Sequence, residues 1–273
     1  MTDTSAFFLF LLLALSGPVS AAPPQASPHP MDTCIPQAPF GFPVKHQENS
    51  IQICRMAYVL QHDNTAKIPM WVSFVVTPAH ATGCVPRSNA FAPDNSLPKG
   101  SRAEVSDYAR SGYDTGHIGN DNLMSWSLIP EYESFILSNM CPQVAGFNRG
   151  VWKMLETAIM DWAVERNHSL LIYAGPIYNV DTDDKIGKSD VDVPTGFYKI
   201  VIDLTTNEVM AYIFPHSSIK YHSFAPFMTT TDEIFAKTGI VFPLPPNAVA
   251  STVVWPYTTK EGAADKKTVC SIH

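Results

Sequence analysis

Positive charge is scarce in this chain. Its 273 residues include 18 Lys and Arg against 25 Asp and Glu, a formal net charge of −7. Phosphate contacts dominate nucleic-acid affinity, so this balance excludes a tight, static DNA-binding protein. An enzyme that needs only a local positive cleft and must release its product is not excluded. Charged residues make up 16% and hydrophobic ones 45%, which suits a buried core and not a disordered chain. No CxxC and no Cys/His pair has zinc spacing, so a structural zinc is not expected. P-loop, HExxH and GxSxG motifs are also absent. The longest apolar run, Phe7 to Leu15, is too short to span a bilayer as a helix.

That run is followed by Gly17-Pro18 and by Val19-Ser20-Ala21, a small-x-small cleavage pattern, although Asp3 stands where a positive n-region is usual. The expectation is a signal peptide over 1–21, hence a secreted or periplasmic protein with no membrane span in its mature form. Five cysteines remain beyond it. Cys141 lies inside the candidate site and is taken as the unpaired thiol. Cys34, Cys54, Cys84 and Cys270 then allow three pairings.

Residues 22–48 are Pro-rich and read as an N-terminal arm; 49–273 read as one domain. Ile51 to Leu60 is expected as a strand, Gln61-His62-Asp63-Asn64 as a turn and Met70 to Val76 as the partner strand. Residues 106–111 and 121–130 read as short helices, and Leu137-Ser138-Asn139 as a strand end. Asn148 to Glu165 is the clearest helix: Val151, Leu155, Ala158, Ile159 and Trp162 form one stripe, and Glu156 falls off it. Phe197 to Leu204 and Glu208 to Phe214 flank a Thr205-Thr206-Asn207 turn. Thr230-Thr231-Asp232-Glu233 starts a helix that Gly239 stops. The alternation predicts a single α+β domain with a mixed, largely antiparallel sheet. His216 and His222, which have no partner pattern for a metal, are placed at the surface.

Chemistry concentrates between Gly112 and Glu156. In Tyr113-Asp114-Thr115-Gly116-His117, an imidazole follows a carboxylate and sits between Gly116 and Gly119. Asp114 is placed to orient His117, and a neutral imidazole takes a proton from water. Downstream stand Leu137-Ser138-Asn139-Met140-Cys141-Pro142-Gln143, then Asn148-Arg149-Gly150-Val151-Trp152 and Leu155-Glu156. On an unbroken helix, Asn148 and Glu156 would lie about 12 Å apart. They would share one ion only if one ligates it and the other holds its water, an arrangement suited to Mg²⁺. The alternative is an N-capping Asn and a solvated surface acid.

These segments resemble the DNA/RNA non-specific endonuclease family, the endonuclease G-like, sugar-non-specific nucleases of the ββα-metal class. The family signature Asp-Arg-Gly-His corresponds to Asp114-Thr115-Gly116-His117, with Thr115 in place of Arg. Leu-Ser-Asn-x-x-Pro-Gln, Asn-x-Gly-x-Trp and Leu-Glu are all present. Met160 stands where some members carry another Arg. The resemblance implies a ββα-metal core in which His117 is the general base and Asn148 the direct ligand of one Mg²⁺, with Mn²⁺ a possible substitute. Glu156 would hold a metal-bound water and Arg87 would contact the phosphate. Asn139, Gln143 and Thr115 would support the site. DNA and RNA would be the substrates, and the products would carry 5′-phosphates. Rival readings are an inactive, nucleic-acid-binding member of the same fold and a phosphodiesterase for small nucleotides.

Overall fold

The computed structural model describes residues 27–179, 184–219 and 223–257. The expected signal peptide, His222 and Cys270 lie outside them. The strands are β1 (Ser50–Cys54), β2 (Val59–Asp63), β3 (Ile68–Val76), β4 (Asp114–His117), β5 (Met140–Gln143), β6 (Leu170–Ile177), β7 (Lys185–Ile186), β8 (Val191–Asp192), β9 (Gly196–Asp203), β10 (Glu208–Pro215), β11 (Met228–Thr229) and β12 (Val249–Ala250). The α-helices are α1 (Val105–Tyr108), α2 (Leu128–Ser134), α3 (Lys153–Glu165) and α4 (Thr231–Thr238). The main sheet runs β1-β2-β3-β6-β9-β10-β11, with β12 also on β10. Every pairing along that path is antiparallel; β12 alone joins in parallel. The expected α+β domain with a largely antiparallel sheet is what forms.

The sheet is covered on both faces, which is why β3, β6 and β9 read as nearly unbroken apolar runs. One core holds Val72, Ile172, Phe197 and Val201 with Trp152, Leu155 and Ile159 from the α3 region. The other holds Trp71, Tyr173, Tyr198 and Ile200 with Ile234 of α4 and Cys34. In β9, the odd-numbered side chains therefore face α3 and the even ones face α4. On α4, the Thr230 hydroxyl accepts from the Glu233 N–H at 3.1 Å, and Gly239 closes the helix at φ 68°.

Several local expectations are corrected. Residues 51–60 are not one strand but most of a hairpin, turned where the Arg55 N–H meets the Tyr58 carbonyl at 2.8 Å. Buried Arg55 fixes that turn through Asp94, 2.8 Å away. Gln61, His62 and Asp63 belong to β2, because each polar side chain finds a partner inside: Gln61 accepts from the Trp71 indole at 3.0 Å. The true turn lies beyond, where Asp63 accepts from the Thr65 and Ala66 amides and Lys67 takes φ 60°. Leu137–Asn139 is a 3-10 turn leading into β5, not a strand end. Part of the Pro-rich arm is ordered: a 3-10 turn spans Met31–Gln37, and Cys34 is bonded to Cys54. Cys84 is also disulfide-bonded, whereas Cys141 is a buried free thiol, as expected.

Candidate active site

The two-stranded sheet β4-β5 and the entry to α3 build the candidate site. Asp114 lies opposite Gln143 and His117 opposite Met140. Gly116 is required by close packing: a Cβ there would sit 2.0 Å from Gln143 Oε1. After His117 the chain turns sharply, held by Asn139. The Asn139 side chain accepts from Gly119 N–H and donates to the Gly119 carbonyl, both at 2.8 Å. Asn139 is therefore a clamp on the segment that follows His117. Gln143 is fully buried, and neither its amide oxygen nor its nitrogen has a hydrogen-bond partner among the described residues.

Residues 148–165 are not one regular helix. Phe147–Trp152 forms a wide π-type turn broken at Gly150 (φ −103°, ψ −115°), and α3 follows. The Trp152 indole donates to the His117 carbonyl at 3.1 Å, tying this turn to β4. The broken turn means the helical spacing assumed for Asn148 and Glu156 does not apply.

His117 is buried between aromatic rings, with Phe135 edge-on at 4.8 Å and Phe91 at 5.9 Å. Its Nε2 is buried without a hydrogen-bond partner. Burial lowers its pKa to about 4, against the opposing pull of Asp121 and with a smaller push from Arg87. The imidazole is thus neutral at neutral pH, the protonation state a base needs.

Asp114 does not orient that imidazole. Three residues along a strand, the two side chains leave on opposite faces. Its carboxylate instead takes Arg149 bidentately, from Nε at 2.8 Å and Nη2 at 2.6 Å, and the Asn148 Nδ2 at 2.9 Å. Burial pushes the Asp114 carboxyl up, but the hydrogen bonds from Arg149 and Asn148 outweigh it and hold it below its usual range. With Nδ2 committed to Asp114, the group that Asn148 could offer a cation is its Oδ1, a hard oxygen donor.

Glu156 is buried, contrary to its expected place off the apolar stripe. Its stripe position is offset because Lys199 rises from the α3-facing side of β9 to meet it, Nζ to Oε1 at 3.2 Å. The Asn120 amide donates to the other oxygen. Lys199 is itself wholly buried, 3.8 Å above the Trp152 ring centroid. Burial pushes the Glu156 carboxyl up and the Lys199 ammonium down, while their contact opposes both shifts. Each carboxylate oxygen keeps a second lone pair for a water.

Arg87 donates from Nη1 to the buried Asp121 and from Nε to Asn89 at 2.9 Å, with its guanidinium 4.8 Å above the Phe135 ring. Thr115 is half-buried in β4 and carries no charge. Asn120, Asp121 and Lys199 are the residues that sequence reasoning missed. The signal for Lys199 was present: it is a lone charge in Phe197-Tyr198-Lys199-Ile200-Val201-Ile202, a run with no polar face.

His216 is not a surface residue as expected. It sits among Tyr113, Phe147 and Phe197, accepting from the Val144 N–H at 2.7 Å and facing the Pro194 carbonyl at 2.6 Å. Trp152 and Trp162 are buried, and Trp126 stacks on His80 at 4.3 Å.

Among the described residues, no group of three or more His, Cys, Asp or Glu converges on a point. What the site offers a cation is one amide oxygen, beside two carboxylates already paired with Arg149 and Lys199. That donor set fits a hard ion that retains most of its waters.

Comparison with known proteins identifies the family. The model of the DNA/RNA non-specific endonuclease family matches residues 38–248. The chain is 30% identical over 203 residues to the mitochondrial nuclease EXOG of Danio rerio, covering 68% of this chain and 58% of that protein. It is 33% identical over 179 residues to the mitochondrial endonuclease G of Caenorhabditis elegans, covering 60% and 58%. It thus spans well under two thirds of the length of these two curated relatives. Among solved structures, a chain in the crystal structure of an EndoG/EndoGI complex superposes with a TM-score of 0.68 at 27% identity, covering 80% of this chain and 92% of that one.

Proposed function

This chain belongs to the DNA/RNA non-specific endonuclease family, and from that membership we propose that it hydrolyses phosphodiester bonds within DNA and RNA with little sequence preference, leaving 5′-phosphates. The observation that carries the reading is the joining of base and ligand. The Trp152 indole fastens the α3 entry to the His117 carbonyl, and Asp114, in the same strand as His117, holds Asn148.

His117, neutral and with its Nε2 unpartnered, accepts a proton from the attacking water. The water oxygen bonds to phosphorus as the bond from phosphorus to the 3′ oxygen breaks. Asn148 would hold a divalent cation, and Glu156 would hydrogen-bond one of its waters. A divalent cation held there, Mg²⁺ with Mn²⁺ as substitute, would supply positive charge for the departing 3′ oxygen. Arg87, once a phosphate competes with Asp121, binds a non-bridging oxygen. Asn139 keeps the backbone after His117 in place. Export remains part of the proposal; it rests on the Phe7 to Ala21 pattern and is supported by the Cys34–Cys54 disulfide, a bond characteristic of oxidising compartments.

The test is cleavage of circular plasmid DNA and total RNA with Mg²⁺, with EDTA, and by His117→Ala. Degradation that needs Mg²⁺ and disappears in the variant is the expected result. Degradation indifferent to both would refute the site. No degradation by the folded, Mg²⁺-supplied protein would favour a binding protein over an enzyme.

A further inference from the structure

We propose that Arg149 is a substrate-phosphate contact, poised on Asp114 beside the cation ligand. The inference rests on the nuclease reading and adds to it the residue that meets the substrate's charge at this edge of the site. Arg149 lies in the broken turn next to Asn148, and its side chain is 73% exposed. An exposed arginine normally samples many rotamers. This one is held by two parallel hydrogen bonds, Nε to Asp114 Oδ2 at 2.8 Å and Nη2 to Oδ1 at 2.6 Å. Five N–H donors belong to a guanidinium and Asp114 takes two, so the outer edge keeps a fork that matches two phosphate oxygens. Because Asp114 also takes the Asn148 amide, one carboxylate sets the position of both the cation ligand and the guanidinium.

The charge around the site gives this fork its importance. Lys199 is buried and paired with Glu156, and Thr115 next to Asp114 contributes only a hydroxyl. Arg87 is already engaged by Asp121 and Asn89. In a chain of net charge −7, a polyanion must be met by local cations. Arg149 is the one among these whose donors are both fixed and open.

A purely structural Arg149 would steady Asn148 through Asp114 and never touch phosphate. Binding without turnover separates the two. A labelled duplex is titrated in EDTA at increasing salt with the wild type, Arg149→Ala, Arg149→Lys and, on the opposite face of the sheet, Lys237→Ala. For Arg149→Ala, binding should weaken about tenfold at low salt, and the slope of log affinity against log salt should fall by about one. Arg149→Lys should keep the slope while binding more weakly than the wild type, because the point charge stays and the fork is lost. Lys237→Ala should match the wild type. A wild-type slope in Arg149→Ala, an equal fall in Lys237→Ala, or no duplex binding by the wild type would each overturn the proposal. If binding behaves as expected but no cleavage occurs with Mg²⁺, the hydrolase reading fails while the contact stands.

Discussion

Replacing Lys199 with Met should be among the most damaging single changes available in this protein. The ammonium is wholly buried, 3.2 Å from Glu156 Oε1 and 3.8 Å over the Trp152 ring. Methionine fills similar volume, so the loss is electrostatic: Glu156 is left buried with only the Asn120 amide. Breaking a buried pair on one side costs about 3–5 kcal/mol. For a domain of this size, each kcal/mol moves Tm by about 2–4 °C, so melting should fall by about 6–20 °C. The sign of the pH dependence follows. Without Lys199, the Glu156 carboxyl is pushed further above its unfolded value near 4.3. A group with a raised folded pKa contributes its full stability below the unfolded pKa and loses it as pH rises through the folded pKa. The deficit of Lys199→Met should therefore be smallest in mild acid and largest at neutral pH. Lys199→Met/Glu156→Gln should recover most of the loss, which gives a coupling energy by double-mutant cycle. Thermal melts at several pH values make the measurement. A deficit below about 1 kcal/mol, or one that does not change with pH, would refute the buried-pair account.

Three further outcomes follow from the geometry. With the folded His117 at about 4 and its unfolded value near 6.5, kcat/KM should rise through pH 4 and show no inflection near 6.5, while stability supplied by the neutral imidazole, about 3 kcal/mol, is present above pH 6.5 and is lost as pH falls toward 4; pH–rate profiles and melts check both parts. Gly116→Ala should cost about 1–3 kcal/mol by driving a Cβ into buried Gln143, and Gln143→Ala in the same chain should relieve it, as read by urea unfolding. Cys34→Ser/Cys54→Ser should cost about 3 kcal/mol for a loop of this length, and reductant should lower the wild-type Tm by more than the variant's, which keeps the Cys84 disulfide.

Local signals were legible wherever neighbours in sequence decide the outcome. The Thr230 cap with Gly239, and the hairpin around residues 205–207, depend on contacts a few residues apart, and both form as read. Reading failed where a partner from far along the chain overrules a local preference. Gln61-His62-Asp63 looks like a turn until Trp71 and Ser101 satisfy the first two side chains within the sheet. Glu156 looks solvated until Lys199, 43 residues away, arrives beneath it. Asp114 seems a natural orienter for His117 by proximity in sequence, yet strand geometry turns it to the other face, where Arg149 waits.

By itself, then, the sequence determined which chemistry is available: an imidazole after Gly116, an amide at Asn148, an acid at Glu156, and the family to which their spacing belongs. Residue types and short spacings carry that information, because they act through bonded neighbours. Only the tertiary structure decided how those groups are charged and held. Burial makes His117 neutral, Lys199 balances Glu156, and Asp114 couples Asn148 to Arg149. These are effects of distance and desolvation in three dimensions. Coulomb energies and hydrogen bonds depend on which side chains meet in a low-dielectric interior, and chain order does not record that.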